Sequence, residues 1–298
     1  MVLLRSRAVT SEQAWEELSI DAAGLRVAAR ATGPSDGPRV LCLHGWLDNA
    51  ATFEPLASRL PGLRLVALDL PGHGLSAHRE PGNTYAFIDA VAAVAAARDV
   101  LGWERCAVLG HSLGAGIAAT LAGAQPSRTS ALVLVEGAGP LAEVPEHAAE
   151  RLGRALDEQR AKLGRRAPVY ADAETAATRL AGSISKISIE AARILCARGL
   201  VEVEGGVTWR SDPQVRWQSR TRLVEAQVLA FLRAIACPTL FVRAEGSHFA
   251  DGPVLDARLA AIANLQIASL PGGHHVHLEQ PDAVAPIIAA FFERVSPS

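Results

Sequence analysis

Five residues constrain this chain more than any other feature: Gly110-His111-Ser112-Leu113-Gly114. They follow an apolar strand-like run, Cys106–Leu109, and open a helical stretch that continues through Ala124. Gly-x-Ser-x-Gly at a strand-to-helix junction is the signature of a turn so tight that its flanking positions cannot carry side chains. Such a turn lifts the serine hydroxyl off the end of the sheet and sets it at a helix N-terminus, where the dipole favours developing negative charge. A chain containing this junction is an α/β chain with a strand end exposed to chemistry.

The rest of the sequence keeps the same rhythm. Strands are expected at Leu25–Ala31, Val40–Leu43, Leu65–Leu68, Cys106–Leu109, Ala131–Val135, Leu240–Arg243 and Leu265–Ser269, with an edge strand near Leu18–Asp21. Several are nearly continuous apolar runs, as strands buried on both faces should be. Helices are expected at Phe53–Leu60, Tyr85–Leu101, Leu113–Ala124, Val254–Ile262 and Val284–Val295. Apolar strands alternating with helices argue for a mostly parallel sheet of eight strands covered by helices. The rhythm breaks after the sixth strand. Residues 140–232 read as an inserted, mainly helical cap, leaving 1–139 and 233–298 as the core domain. Within the cap, Glu146–Leu163 and Ser188–Arg198 are helical, with Gly199 after the second helix as its terminator. Val201–Glu204 and Val207–Arg210 form a hairpin around Gly205-Gly206.

A serine needs a base within hydrogen-bond reach. Gly272-Gly273-His274-His275-Val276-His277 follows the last strand and supplies three candidates. His274, directly after the glycines and last in the order Ser…acid…His, is taken as the base, and His275 and His277 as loop or packing residues. No Cys, Asp or Glu accompanies them at zinc-like spacing, so no metal site is expected. Acyl transfer also needs two backbone N–H groups facing the nascent oxyanion. Leu113, the residue after the serine, is expected to give one. The early loop His44-Gly45-Trp46 is expected to give the other, from Trp46. Asp69-Leu70-Pro71-Gly72-His73-Gly74-Leu75-Ser76 reads as scaffolding near the site.

These stretches resemble the α/β-hydrolase superfamily, and most closely its serine hydrolase-like branch. The elbow and the terminal histidine are specific for the superfamily. His44-Gly45-Trp46-Leu47-Asp48-Asn49-Ala50 is more specific for the branch, and Trp209-Arg210-Ser211-Asp212 is the clearest likeness in the cap. One departure stands out. Most relatives carry an aspartate a few residues after the strand at Leu240–Arg243, where this chain has Ser247. Glu136, at the tip of the strand beside that of Ser112, is taken as the acid. Haloalkane dehalogenases of the superfamily set a glutamate at a similar spacing. Asp251 and Glu245 remain alternatives.

The resemblance implies a cofactor-free serine hydrolase acting on a small apolar ester-like substrate. A thioesterase, a C–C bond hydrolase or a non-catalytic ligand binder on the same scaffold are the other readings. Trp209, Trp217 and Tyr170 of the cap are candidates to line an apolar pocket. A net charge of −2 over 298 residues gives no global attraction for nucleic acid. No apolar run approaches the roughly 20 residues of a membrane span. The four cysteines lack metal spacing and read as reduced thiols of a cytoplasmic protein, with Cys42, Cys106 and Cys237 in or beside apolar runs as buried hydrophobes. A homodimer is compatible with the sequence.

Overall fold

The computed structural model describes residues 15–22, 24–80, 82–183, 186–247 and 252–295. An eight-stranded sheet runs through them. Its strands are β1 (Glu16–Ala22), β2 (Leu25–Thr32), β3 (Arg39–Leu43), β4 (Arg64–Leu68), β5 (Cys106–His111), β6 (Thr129–Val135), β10 (Thr239–Ala244) and β11 (Leu265–Leu270). The order across the sheet is β1-β2-β4-β3-β5-β6-β10-β11. β1 and β2 form an antiparallel hairpin, and β2 pairs antiparallel with β4. From β4 to β11 all neighbours are parallel. All six residues of β5 are buried, as its central position requires.

Two apolar layers sandwich the sheet. One face carries α2 (Phe87–Val100), α3 (Leu113–Ala124) and α8 (Pro253–Ala260), with Val94, Ile117, Leu121 and Leu259 in its core. The other carries α1 (Glu54–Ala57), α9 (Val276–Glu279) and α10 (Pro281–Val295), with Phe53, Leu56, Phe291 and Val133 packed together. The helix expected at Phe53–Leu60 is shorter. Asn49 accepts the N–H of Ala51 and starts a 3₁₀ turn at Ala50–Phe53, which runs into α1. α10 starts three residues before the expected Val284, because Pro281 has the φ of a first helical residue and needs no N–H there.

The insertion between β6 and β10 contains α4 (Ala148–Lys162), α5 (Ala173–Ala181), α6 (Ile189–Gly199) and a small sheet. That sheet pairs β7 (Val169–Tyr170), β8 (Leu200–Val203) and β9 (Gly206–Trp209) in the order β7-β9-β8. Asp172 and Ser188 cap α5 and α6 through their side chains. The hairpin turn is Glu204-Gly205, one residue earlier than expected: Val203 pairs with Gly206, and the unforeseen β7 extends pairing along β9. Gly199 is the last residue of α6, not the residue after it. Residues 225–233 form α7 (Glu225–Arg233), which lies within the span 140–232 except for Arg233 yet packs on α3. Its Val228 and Leu232 join the core around Ile117. The Glu143 N–H bonds to the Leu223 carbonyl at 3.0 Å and ties the two ends of the insertion just before α7. α7 thus shares an apolar core with α3.

Arg198 of α6 fastens the insertion to the sheet. Its guanidinium lies 2.9 Å from Asp69 Oδ2 at the end of β4 and 2.8 Å from Glu17 Oε1 on β1. Asp69 is fully buried and also accepts the N–H groups of Ala50 and Leu75. Asp212 adds a second fastening: its N–H bonds to the Gly72 carbonyl and its carboxylate accepts the Tyr85 hydroxyl at 2.7 Å. Tyr170 and Trp209 pack against an apolar cluster of α5 and α6 that Leu278, from after β11, completes. Trp217 lines a cleft with Tyr85, Gln214 and Arg220. All four cysteines are free and buried. No helix among the described residues is long and apolar enough to cross a membrane.

Candidate active site

The parallel strands β3, β5, β6 and β10 deliver the site to one sheet edge, beyond their carboxyl ends. Ser112 is the hinge between β5 and α3, with φ 51° and ψ −112°. That conformation is costly for a residue with a Cβ and persists only where its surroundings over-determine it. The flanking glycines show how tight the turn is. A Cβ on Gly114 would stand 2.0 Å from the Leu43 carbonyl oxygen, and one on Gly110 would stand 2.4 Å from that of Gly114. The Ser112 N–H bonds to the Val135 carbonyl at 2.9 Å, which anchors the turn to β6.

His274 stands on the loop after β11. Its Nε2 is 2.9 Å from Ser112 Oγ and its Nδ1 is 3.2 Å from Glu136 Oε2. A carboxylate only accepts, so Nδ1 carries the proton and Nε2 offers its lone pair to the serine hydroxyl. Glu136 directly follows β6 with φ 58° and is buried. Its other oxygen, Oε1, accepts the Ala244 N–H from the end of β10 at 2.6 Å. The carboxylate thus bridges two strand ends. Ser247 is buried near the end of β10, and its N–H bonds to the Ala244 carbonyl. Glu245 is exposed. Asp251 lies outside the described residues.

Trp46 lies in the loop after β3, and Leu113 opens the helix after Ser112. No backbone hydrogen bond from either N–H is seen among the described residues. The Trp46 side chain is half exposed and donates its Nε1–H to the Val215 carbonyl at 2.8 Å, so this loop also touches the cap. His44 is wholly buried. It accepts the Leu70 N–H at Nε2, and its Nδ1 lies 2.7 Å from the Gly45 carbonyl. Burial pushes its imidazole down to about 4 and that of His73 down to about 3.

A second polar cluster lies behind His274 and was not foreseen. Asp48, His111 and His275 are all buried, and their ligand-capable atoms lie within 4.8 Å of one another. His275 Nε2 is 3.2 Å from both Asp48 oxygens. His111 Nε2 is 2.9 Å from the His274 carbonyl. The His111 ring also packs against His277, tilted by 38° with 4.2 Å between centroids, and His277 Nε2 meets Thr52 Oγ1 at 2.8 Å. Burial alone would raise the Asp48 carboxyl, but the His275 imidazole beside it holds it well below the usual range. Burial pushes His111 down to about 4. The pull of Asp48 outweighs burial at His275 and raises it. Each residue stands in a stretch the sequence singles out. Their convergence depends on strand register, which no single stretch carries.

Comparison with known proteins agrees with this architecture. Residues 38–281 match the family model described as alpha/beta hydrolase fold. A serine hydrolase-like protein of Danio rerio is 32% identical over 276 residues, covering 89% of this chain and 84% of that protein. The crystal structure of a hypothetical protein from Pseudomonas aeruginosa PAO1 is 44% identical, with a TM-score of 0.90, covering 94% of this chain and all of that one. The thioesterase domain from the curacin biosynthetic pathway is 30% identical with a TM-score of 0.80, covering 92% and 99% of the two chains. The chain belongs to the α/β-hydrolase superfamily, in its serine hydrolase-like branch.

Proposed function

We propose that this chain is a serine hydrolase that cleaves a small apolar ester or related carbonyl substrate through an acyl-enzyme. The observation that carries the reading is the unbroken line Ser112 Oγ, His274, Glu136, with spacings of 2.9 Å and 3.2 Å, assembled from three strand ends. Ser112 attacks the carbonyl while His274 Nε2 takes its proton. The charge on the carbonyl oxygen is received by the N–H groups of Trp46 and Leu113. Imidazolium forms beside the buried carboxylate of Glu136, which stabilises it and fixes the tautomer. The proton then passes to the leaving oxygen. Water, deprotonated by His274, splits the acyl-enzyme and returns the hydroxyl to Ser112. Every proton moves between groups of this chain, the substrate and water, and no cofactor enters. A dehalogenase or epoxide hydrolase of this superfamily carries an aspartate where Ser112 stands.

Thioester cleavage is the second reading, favoured by likeness to the thioesterase domain above. A fluorophosphonate probe should label wild-type protein at Ser112 and leave Ser112→Ala unlabelled. A series of p-nitrophenyl esters and matched acyl thioesters of increasing chain length then ranks the two substrates by kcat/KM. Absence of labelling together with absence of turnover would mean a ligand-binding protein and end the hydrolase reading.

A further inference from the structure

We propose that Asp48, His111 and His275 form a binding site for one divalent transition cation of the zinc class, immediately behind His274. The case begins with a hydrogen bond. His111 Nε2 lies 2.9 Å from the carbonyl oxygen of His274, which can only accept, so Nε2 carries the proton. The neutral ring then has a bare lone pair on Nδ1. That atom is buried and has no hydrogen-bond partner, and it faces Asp48 Oδ2 at 3.4 Å. Two electron-rich atoms point at one another in a buried setting, an arrangement that a positive centre between them would relieve.

The donors suit such a centre. Two imidazole nitrogens and one carboxylate oxygen form a zinc-type set that a water would complete as fourth ligand, whereas calcium and magnesium take oxygen alone. Tetrahedral ligands with bonds of about 2.0–2.1 Å stand roughly 3.4 Å apart. Two edges match, Asp48 to His111 Nδ1 at 3.4 Å and Asp48 to His275 Nε2 at 3.2 Å, in a set whose atoms all lie within 4.8 Å of one another. The outer contact is also of the expected kind. Metal-bound histidines usually donate their other ring N–H to a carbonyl or carboxylate, and His111 already faces the His274 carbonyl through Nε2. His275 would ligate through Nε2 as the Nδ1–H tautomer, an imidazolium releasing its Nε2 proton to solvent and a neutral ring shifting it to Nδ1. The ligands come from the loop after β3, the end of β5 and the loop after β11. An ion there would tie together the three segments that carry Trp46, Ser112 and His274.

The test uses the full-length protein, stripped with a chelator and dialysed against Zn²⁺, with metal counted per chain. One ion per chain is expected in wild type and in His277→Gln, whose ring neighbours the site without ligating. Affinity should fall at least tenfold in Asp48→Asn and His275→Gln, with circular dichroism reporting their folding. Co²⁺ added to stripped wild type should give the intense visible bands of a tetrahedral site, a readout needing no variant and no activity. No stoichiometric uptake by wild type would overturn the proposal. So would uptake unchanged in both variants, or the weak cobalt bands of octahedral, water-rich coordination.

Discussion

Glu136 holds Ala244 through one oxygen and faces His274 through the other, so its replacement by glutamine makes a sharp test. The amide oxygen can keep the Ala244 N–H, which turns the NH₂ group towards His274 Nδ1–H. Donor then faces donor, the imidazole takes the wrong tautomer, and the charge opposite the imidazolium is gone. Glu136→Gln should lower kcat by about 10⁴, the cost of the equivalent change in a serine protease. Glu245→Gln should leave kcat within twofold of wild type, because that side chain is exposed. Ser112→Ala should cost on the order of 10⁶ in kcat while leaving the fold intact. Steady-state kinetics on one p-nitrophenyl ester checks all three. A Glu136→Gln enzyme with near wild-type kcat would move the acid elsewhere.

Close approach of elements gives predictions with a less obvious sign. Gly123 lies within α3, where alanine normally favours the helix by about 1 kcal/mol. A Cβ there would stand 2.1 Å from the Phe231 carbonyl of α7, which cannot swing aside as a side chain could. Gly123→Ala should therefore lower stability by about 1–3 kcal/mol, read from urea denaturation. Ionic contacts sort in the same manner. Burial holds the Asp69 carboxyl above its usual range, against the pull of Arg198. Arg198→Met should cost about 3–5 kcal/mol by leaving that buried carboxylate short of its partner. Arg193→Met should cost less than about 1 kcal/mol, because its pair with Glu174 is exposed. At this scale the sequence was readable where signals were local. The strands of the large sheet announce themselves as apolar runs, and the turn at Ser112 as five consecutive residues. α5 and β7 did not, because α5 buries small residues such as Ala176 and Ala177 and β7 has two residues. Glu136 could be singled out only by the missing aspartate near Ser247. The grouping of Asp48 with His111 and His275 needed the pairing of β3 with β5 and was invisible to spacing.

For the molecule as a whole, neutral buried histidines set the acid limit. His44 and His73 sit at about 4 and about 3, below the roughly 6.5 of an unfolded chain. Between those values the unfolded state binds more protons, so stability is full above pH ~6.5 and falls as pH falls. At pH 5 each histidine should have removed about 2 kcal/mol. His73→Phe should flatten the slope of stability between pH 7 and 5 by about that amount, whatever it does to stability at pH 7. A slope equal to wild type would reassign the acid sensitivity. The rim of the sheet sets a different limit. Leu47, Ser112 and Glu136 all have positive φ, at 66°, 51° and 58°, beyond the carboxyl ends of β3, β5 and β6. Each conformation is one that glycine adopts freely and other residues resist. Glu136 at least returns a hydrogen bond to Ala244 for its strain. A population of this gene kept only for folding, with no demand for turnover, should therefore drift towards glycine or asparagine at 112, where the strain serves the nucleophile. A lineage that has abandoned chemistry would be recognisable by that codon.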